Sequence, residues 1–223
     1  MLYHRLLPPS GLIASNPATV VFTTSAVLGT DTSAYTFSGL SFGSTAARRK
    51  LLFMVSGGSG SSERTVTEVS AANSTATFVA RQQDLGESIE AWDINLPGGT
   101  SGDVKVLWNT ARDRCGVAVY TIHGASSTAY DTGGNADNPM TTTIDIPAGG
   151  VGVAAACTES AGNRTHAWVG LNEDYDETVE SAGITHSGAS AAFSTERTGL
   201  EVRATPNGTD TGTALLVVSY GSS

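Results

Sequence analysis

Apolar and polar positions alternate or cluster in short runs along this chain, and the runs recur about every ten residues from Thr19 onward. Val104, Val106 and Trp108 fall on one side of an alternating segment, with Asp103, Lys105 and Asn109 on the other and Leu107 as the exception. A period of two marks a strand with one buried and one wet face. The following run, Cys115–Ile122, does not alternate. Cys115, Val117 and Val119 share one face and Ala118, Tyr120 and Ile122 the other, so a central strand covered on both sides is expected. The polar bend Asn109–Arg114 makes the two a hairpin.

Further strands are expected at 19–27, 34–42, 49–56, 65–69, 75–80, 88–96, 141–146, 151–157, 165–171, 190–193, 200–204 and 214–219. Residues 65–80 read as a hairpin turning at Ala71-Ala72-Asn73, and Pro97-Gly98-Gly99-Thr100 as a turn into the central hairpin. Residues 125–139 read as a long irregular stretch. No amphipathic helix appears. About thirteen short strands with turn residues between them predict an all-β fold, an antiparallel two-sheet sandwich of jelly-roll type. Residues 18–223 are read as a single sandwich domain. Residues 1–17, with Pro8, Pro9 and Pro17 and no period of either kind, are read as an extended arm. Its apolar anchors Leu2, Tyr3, Leu6 and Leu7 either lie back on the domain or dock into a neighbour.

Composition narrows the function. Only 15% of the 223 residues are charged and the formal net charge is −9. Neutralising phosphates needs Lys and Arg, and the chain has two lysines, Lys50 and Lys105, so nucleic acid is not the expected partner. The charge is polarised, with arginines and Lys50 near the start and an acidic stretch over 130–180, which suits orientation on a charged neighbour or solvation of one surface. No apolar run reaches the roughly 18 residues of a membrane span, and the interrupted N-terminal segment makes a poor signal peptide. Cys115 and Cys157 imply no disulfide framework; two buried thiols are expected, with one bridge between neighbouring strands as the alternative.

Chemistry-bearing patterns are sparse. Gly39-Leu40-Ser41-Phe42-Gly43 has the G-x-S-x-G string, but no helix follows to make a nucleophile elbow. The glycine-rich run 57–62 lacks the lysine of a phosphate loop. His4, His123, His166 and His186 show no metal-ligand spacing. Asp131 and Asp137 in one oxygen-rich segment, and Asp174 and Asp176 in another, are the calcium candidates; neither segment has EF-hand spacing, and exposed acidic turns are the plainer reading. Glu90 with Asp93 or Glu201 could be proposed as a glycosidase pair, yet nothing in the spacing selects them. Trp92 and Trp168 are candidate platforms for stacking a sugar, whereas Trp108 belongs to the core. No catalytic residue and no cofactor is assigned.

The run SIEAWDINLPGGTSGDVKVLWNTARDRCGVAVYTIHGASSTAYDT and the later GLNEDYDETVESAGITHSGAS resemble stand-alone β-sandwich virion proteins of tailed phages and prophages, marine ones in particular. The likeness rests on a pattern (apolar strand, Pro-Gly-Gly turn, Arg-Cys-Gly strand start, Tyr-Asp loop) and covers most of residues 18–220. It implies a non-enzymatic virion protein, a head decoration or spike subunit or a tail-fibre component. The virion is then the location. The partners are other capsid or tail proteins and copies of the chain itself, as a homotrimer or higher. A carbohydrate-binding module for a host-surface glycan is the alternative.

Overall fold

The computed structural model describes residues 16–58, 64–84, 86–159, 164–179, 183–208 and 212–223. The strands are β1 (Thr19–Leu28), β2 (Thr32–Ser41), β3 (Arg49–Gly58), β4 (Val66–Ala71), β5 (Ser74–Thr75), β6 (Thr77–Asp84), β7 (Glu87–Asn95), β8 (Ser101–Arg112) and β9 (Arg114–His123). They continue as β10 (Asp131–Asn135), β11 (Met140–Ile146), β12 (Val151–Glu159), β13 (His166–Val169), β14 (Asn172–Thr178), β15 (Ile184–Ala192), β16 (Arg197–Pro206) and β17 (Gly212–Tyr220). The chain is all-β and antiparallel, as the spacing of its apolar runs predicts, with seventeen strands among the described residues rather than thirteen.

These strands make four sheets. The first half of the chain supplies an inner sheet, β1-β9-β3-β7-β6, and an outer sheet, β2-β8-β4-β5; the second half supplies an inner sheet, β10-β17-β12-β15-β14, and an outer sheet, β11-β16-β13. The two-sheet sandwich therefore occurs twice, and the inner sheets face each other. Three apolar cores separate the four layers. Leu51, Phe53, Val55, Val104, Val106 and Trp108 lie in the outer core of the first half, and Ile144, Ala154, Val202 and Val217 in that of the second. Between the inner sheets lie Leu52, Met54, Ala118, Tyr120 and Ile122 against Val151, Val153, Ala155, Leu216 and Val218.

This layering explains the runs that do not alternate. On β3, Leu51, Phe53 and Val55 point outward and Leu52 and Met54 inward, all without solvent exposure. Each such side chain contributes about 1.5–3 kcal/mol by leaving water. β9 does the same, with Cys115, Val117 and Val119 on one side and Ala118, Tyr120 and Ile122 on the other. β8 belongs to an outer sheet, so it alternates, and Leu107 is left on the wet face at 36% exposure.

Three local readings change. Strand β8 runs through the polar bend to Arg112, so only Asp113 separates it from β9. The irregular stretch after Gly124 contains β10. The acidic segment from Asn172 is strand β14. Strands β10 and β14 are the two edges of the second inner sheet, and edge strands carry glycines and charges in place of an apolar signal. The expected turn at Ala72 and Asn73 is present, with both residues at positive φ (48° and 64°), but the hairpin it closes is only β4 with the two-residue β5, because β6 crosses to the inner sheet and pairs with β7.

Candidate functional site

The buried polar groups concentrate between the inner sheets and at the rims of the first sandwich. At one end, Lys50 of β3 and Asp93 of β7 form an ion pair of 2.7 Å (Nζ to Oδ2), both nearly excluded from water. Lys50 also donates to the Ser127 carbonyl, and the Tyr220 hydroxyl of β17 donates to the same Asp93 oxygen at 2.7 Å. The ammonium sits 5.1 Å from the centre of the Tyr220 ring. This triad ties β3 and β7 of the first half to the last strand of the second.

At the opposite end, Glu87 is 1% exposed and accepts from the Cys157 thiol at 3.2 Å. Glu87 opens β7 and Cys157 lies on β12, so this contact also joins the halves. Burial pushes the Glu87 carboxyl up to about 7, with Glu159 adding to it, against the opposing pull of the Cys157 thiol, Arg114 and Arg112. Nearby, His186 of β15 is wholly buried, with Nε2 2.7 Å from the Tyr175 hydroxyl. Burial, helped by His166, pushes its imidazole down to about 3. Its Nδ1 and the Ser56 Oγ both border Gly116, where an added Cβ would stand 2.6 Å from the nitrogen and 2.8 Å from the oxygen. The glycine makes room for the ring.

The rims are held by buried arginines. Arg49 donates to the carbonyls of Leu96, Phe42, Gly43, Ser44 and Gly98. Arg112 donates to the carbonyls of Gly86 and Arg64 and to the Ser88 hydroxyl, and its guanidinium lies 4.4 Å from the Trp108 ring centre.

The residues singled out by sequence are dispersed. Asp131 opens β10 and Asp137 follows it; Asp131 accepts from the backbone N–H groups of Thr132 and Asp145, and Asp137 accepts from the Asn135 side chain. Asp174 and Asp176 lie on β14, the opposite edge of that sheet. Asp176 accepts from the His166 backbone N–H at 3.1 Å and faces its ring Nδ1 at 3.2 Å. Among the described residues no three His, Cys, Asp or Glu side chains are grouped to hold a metal ion. Trp92 is buried, its indole N–H given to Glu90. Trp168 is half-buried, its N–H given to the Ser187 hydroxyl at 2.9 Å. Glu90 accepts from Val66 and Arg81 besides Trp92, while Glu201 is exposed on an outer strand beside Arg203. Ser41 accepts from the Gly43 N–H at the rim of β2, and His123 faces Ser44 instead. Cys115 and Cys157 are free thiols on opposite sides of the first inner sheet, which rules out a bridge between them in this fold. Leu2, Tyr3, Leu6, Leu7 and His4 lie outside the described residues.

The buried acid and the buried base leave opposite marks on stability. Folded Glu87 keeps its proton up to about 7, whereas the unfolded chain releases it near 4.5, so the folded state loses stability as pH rises across that interval. The unfolded chain protonates His186 below 6.5 and the folded state only near 3, so stability is lost as pH falls below 6.5. Glu87→Gln should gain about 3 kcal/mol over the parent between pH 4 and pH 8, and His186→Gln should gain about as much between pH 7 and pH 4. Urea unfolding at several pH values reads both. A difference from the parent that is constant with pH would contradict the assignment.

The chemistry available to these groups is structural. Each buried charge meets backbone groups or another side chain of the fold, and the serine, histidine and carboxyl groups between the inner sheets are buried, with Asp93 reaching the edge of a surface cleft. No protein-family model, curated protein or solved structure matches the chain.

Proposed function

We propose that this protein is a non-enzymatic structural subunit of a tailed-phage particle, decorating the head or forming part of a spike or fibre. One observation carries the reading beyond the sequence resemblance: the polar side chains best suited to chemistry are spent on internal bonds. Arg49, Arg112, Glu90 and Asp131 fix backbone at strand ends, and Lys50, Asp93 and Glu87 lie between layers. A stiff sandwich of this kind suits a subunit repeated on a lattice. Residues 1–17, with Leu2, Tyr3, Leu6 and Leu7, are the proposed attachment to a neighbouring virion protein.

The expected result is that tagged full-length protein co-sediments with purified particles, while a variant lacking residues 1–17 remains folded in the soluble fraction. Normal incorporation of the truncated chain would remove the arm from the account. Absence of the full-length chain from particles would remove the virion role.

Glycan binding is a second reading, favoured at one place. Phe78 and Tyr130 are the most exposed aromatic rings among the large apolar side chains, at 45% and 56%. They border two adjoining shallow clefts that share Thr128 and Ala129, and Asp93 lines the one beside Phe78. Rings beside hydroxyls and a carboxylate suit a sugar face. This location takes the place of Trp92, which is buried; Trp168, half-buried with its indole N–H given to Ser187, keeps its place as a candidate stacking ring.

A further inference from the structure

We infer that the chain is a tandem duplication of one sandwich, and that the inner sheet of each repeat is a docking surface whose partner is a second copy of the same fold. Exchanging β1, β2, β3, β4, β6, β7, β8 and β9 for β10 to β17 in turn converts both sheets of the first half into those of the second, with the two-residue β5 as the only extra strand among the described residues. A favoured topology can arise twice, so strand order alone is not enough.

Finer details repeat as well. Strand β6 carries a bulge between Phe78 and Ala80, opposite Trp92 and Ala91; β14 carries one between Glu173 and Tyr175, opposite Ala189 and Gly188. Trp92 and Ala189 stand at the same distance along the chain before Leu96 and Phe193. Those two residues make the same bond: Leu96 N–H donates to the Arg49 carbonyl and Phe193 N–H to that of Gly150. Arg49 and Gly150 each close the same turn, donating to the carbonyls of Ala46 and Pro147.

Identity survives at a third place. The pair Arg64-Thr65 precedes β4 and Arg164-Thr165 precedes β13. The Thr65 carbonyl accepts from Asn109 N–H at 2.9 Å, and the Thr165 carbonyl from Asn207 N–H at 3.0 Å. The next residue in each, Val66 or His166, gives its N–H to a carboxylate reaching from the inner sheet, Glu90 or Asp176. Bulges are positional features that persist once established. Their coincidence with the matched turns and matched residues points to common descent of the two halves.

The repeats meet through their inner sheets, and the contact is two-fold in part: β6 and β7 also lie against β17, whereas β14 and β15 make no equally close approach to β9. β1 meets β14 along one seam, where Phe22 stacks on Tyr175 with ring centres 4.9 Å apart. β6 meets β10 along the other. Exchanging the repeats turns each seam into the other, and β3 faces β12 between them. These two seams keep the exchange relation of an isologous contact, which buries the same patch of both partners, while the contacts of β17 depart from it. Each repeat also keeps a complete outer core of its own, which an independent sandwich needs. The cross-over between repeats runs from Gly124 to Tyr130, and Ser223 N–H donates to the Gly124 carbonyl beside Pro17.

The test uses the full chain with a protease site inserted between the exposed Ser127 and Thr128 and cut after folding. The halves are expected to remain a 1:1 complex. In urea they should part at a midpoint that rises with protein concentration, while amide exchange in the outer-core strands β8 and β16 stays slow. Loss of protection in both outer cores in the same step as separation would overturn the docking claim. If the insertion itself prevents folding, a permuted chain running 128–223 and then 1–127 is the second test. It keeps both repeats whole and is expected to fold with parental stability to within a few-fold in the unfolding constant; failure to fold would overturn the inference.

Discussion

Replacing Arg49 by Met should cost about 4–5 kcal/mol, the largest loss expected from any single substitution here. The side chain is buried at the start of β3, and its guanidinium serves five carbonyls drawn from two separate segments, 42–44 and 96–98. Methionine fills much of the volume and leaves those carbonyls without their donor. Each buried acceptor so stranded costs about 1–3 kcal/mol, partly relieved where a rim carbonyl reaches water. Arg49→Lys should recover little, because a single ammonium cannot reproduce the planar fork that reaches both segments. Urea unfolding measures the loss; a cost under about 1 kcal/mol would show that the rim carbonyls find other donors.

The second large effect is expected at Lys50. Lys50→Met leaves the Asp93 carboxylate between the layers with only the Tyr220 hydroxyl as partner, and uncompensated buried charges of this kind cost about 3–5 kcal/mol. The paired variant Lys50→Met with Asp93→Asn removes the stranded charge as well. It should therefore be more stable than Lys50→Met alone, a non-additivity that a double-mutant cycle reads directly. Strict additivity would mean that the two groups do not act as a pair. Because the triad spans both repeats, amide exchange in β17 should accelerate in Lys50→Met before exchange in β8 does.

Much of the fold is legible in the pattern of residues, and the unread parts have identifiable causes. The two-faced apolar runs at 51–55, 115–122, 151–157 and 214–219 mark the four central strands, β3, β9, β12 and β17. They do not reveal that the layer beyond each inner sheet is another inner sheet. A strand covered by one sheet on each side looks the same whether the architecture has three layers or four. The edge strands β10 and β14 were hidden because DTGGN and NEDYDET carry no apolar alternation; their backbone is paired on one side only. The sequence identities at matched turns, Arg-Thr, Ala47 with Ala148 and an isolated Asn, are too short to notice without the register.

The polar groups were harder to read. Lys50, Glu87 and Asp93 are charged residues within otherwise apolar or mixed strands, and a period-two reading gives their face but not their partner. Lys50 meets Tyr220 across 170 positions of sequence, and Glu87 meets Cys157 across 70. Only packing of the two repeats brings them together. Trp92 illustrates the opposite error. Its neighbours suggested an ambiguous platform, but Glu90, two residues away on the same face, takes its indole N–H and draws it inward.

The most direct test of the proposed role is to image purified phage particles made in cells that supply the tagged full-length chain, at a resolution sufficient to place the tag. Density at regular positions over the head, or at a fixed place on a spike or fibre, is the predicted result, and its local symmetry would give the number of copies in each assembly. Particles without tag density, from cells in which the tagged protein is abundant and folded, would contradict the virion assignment.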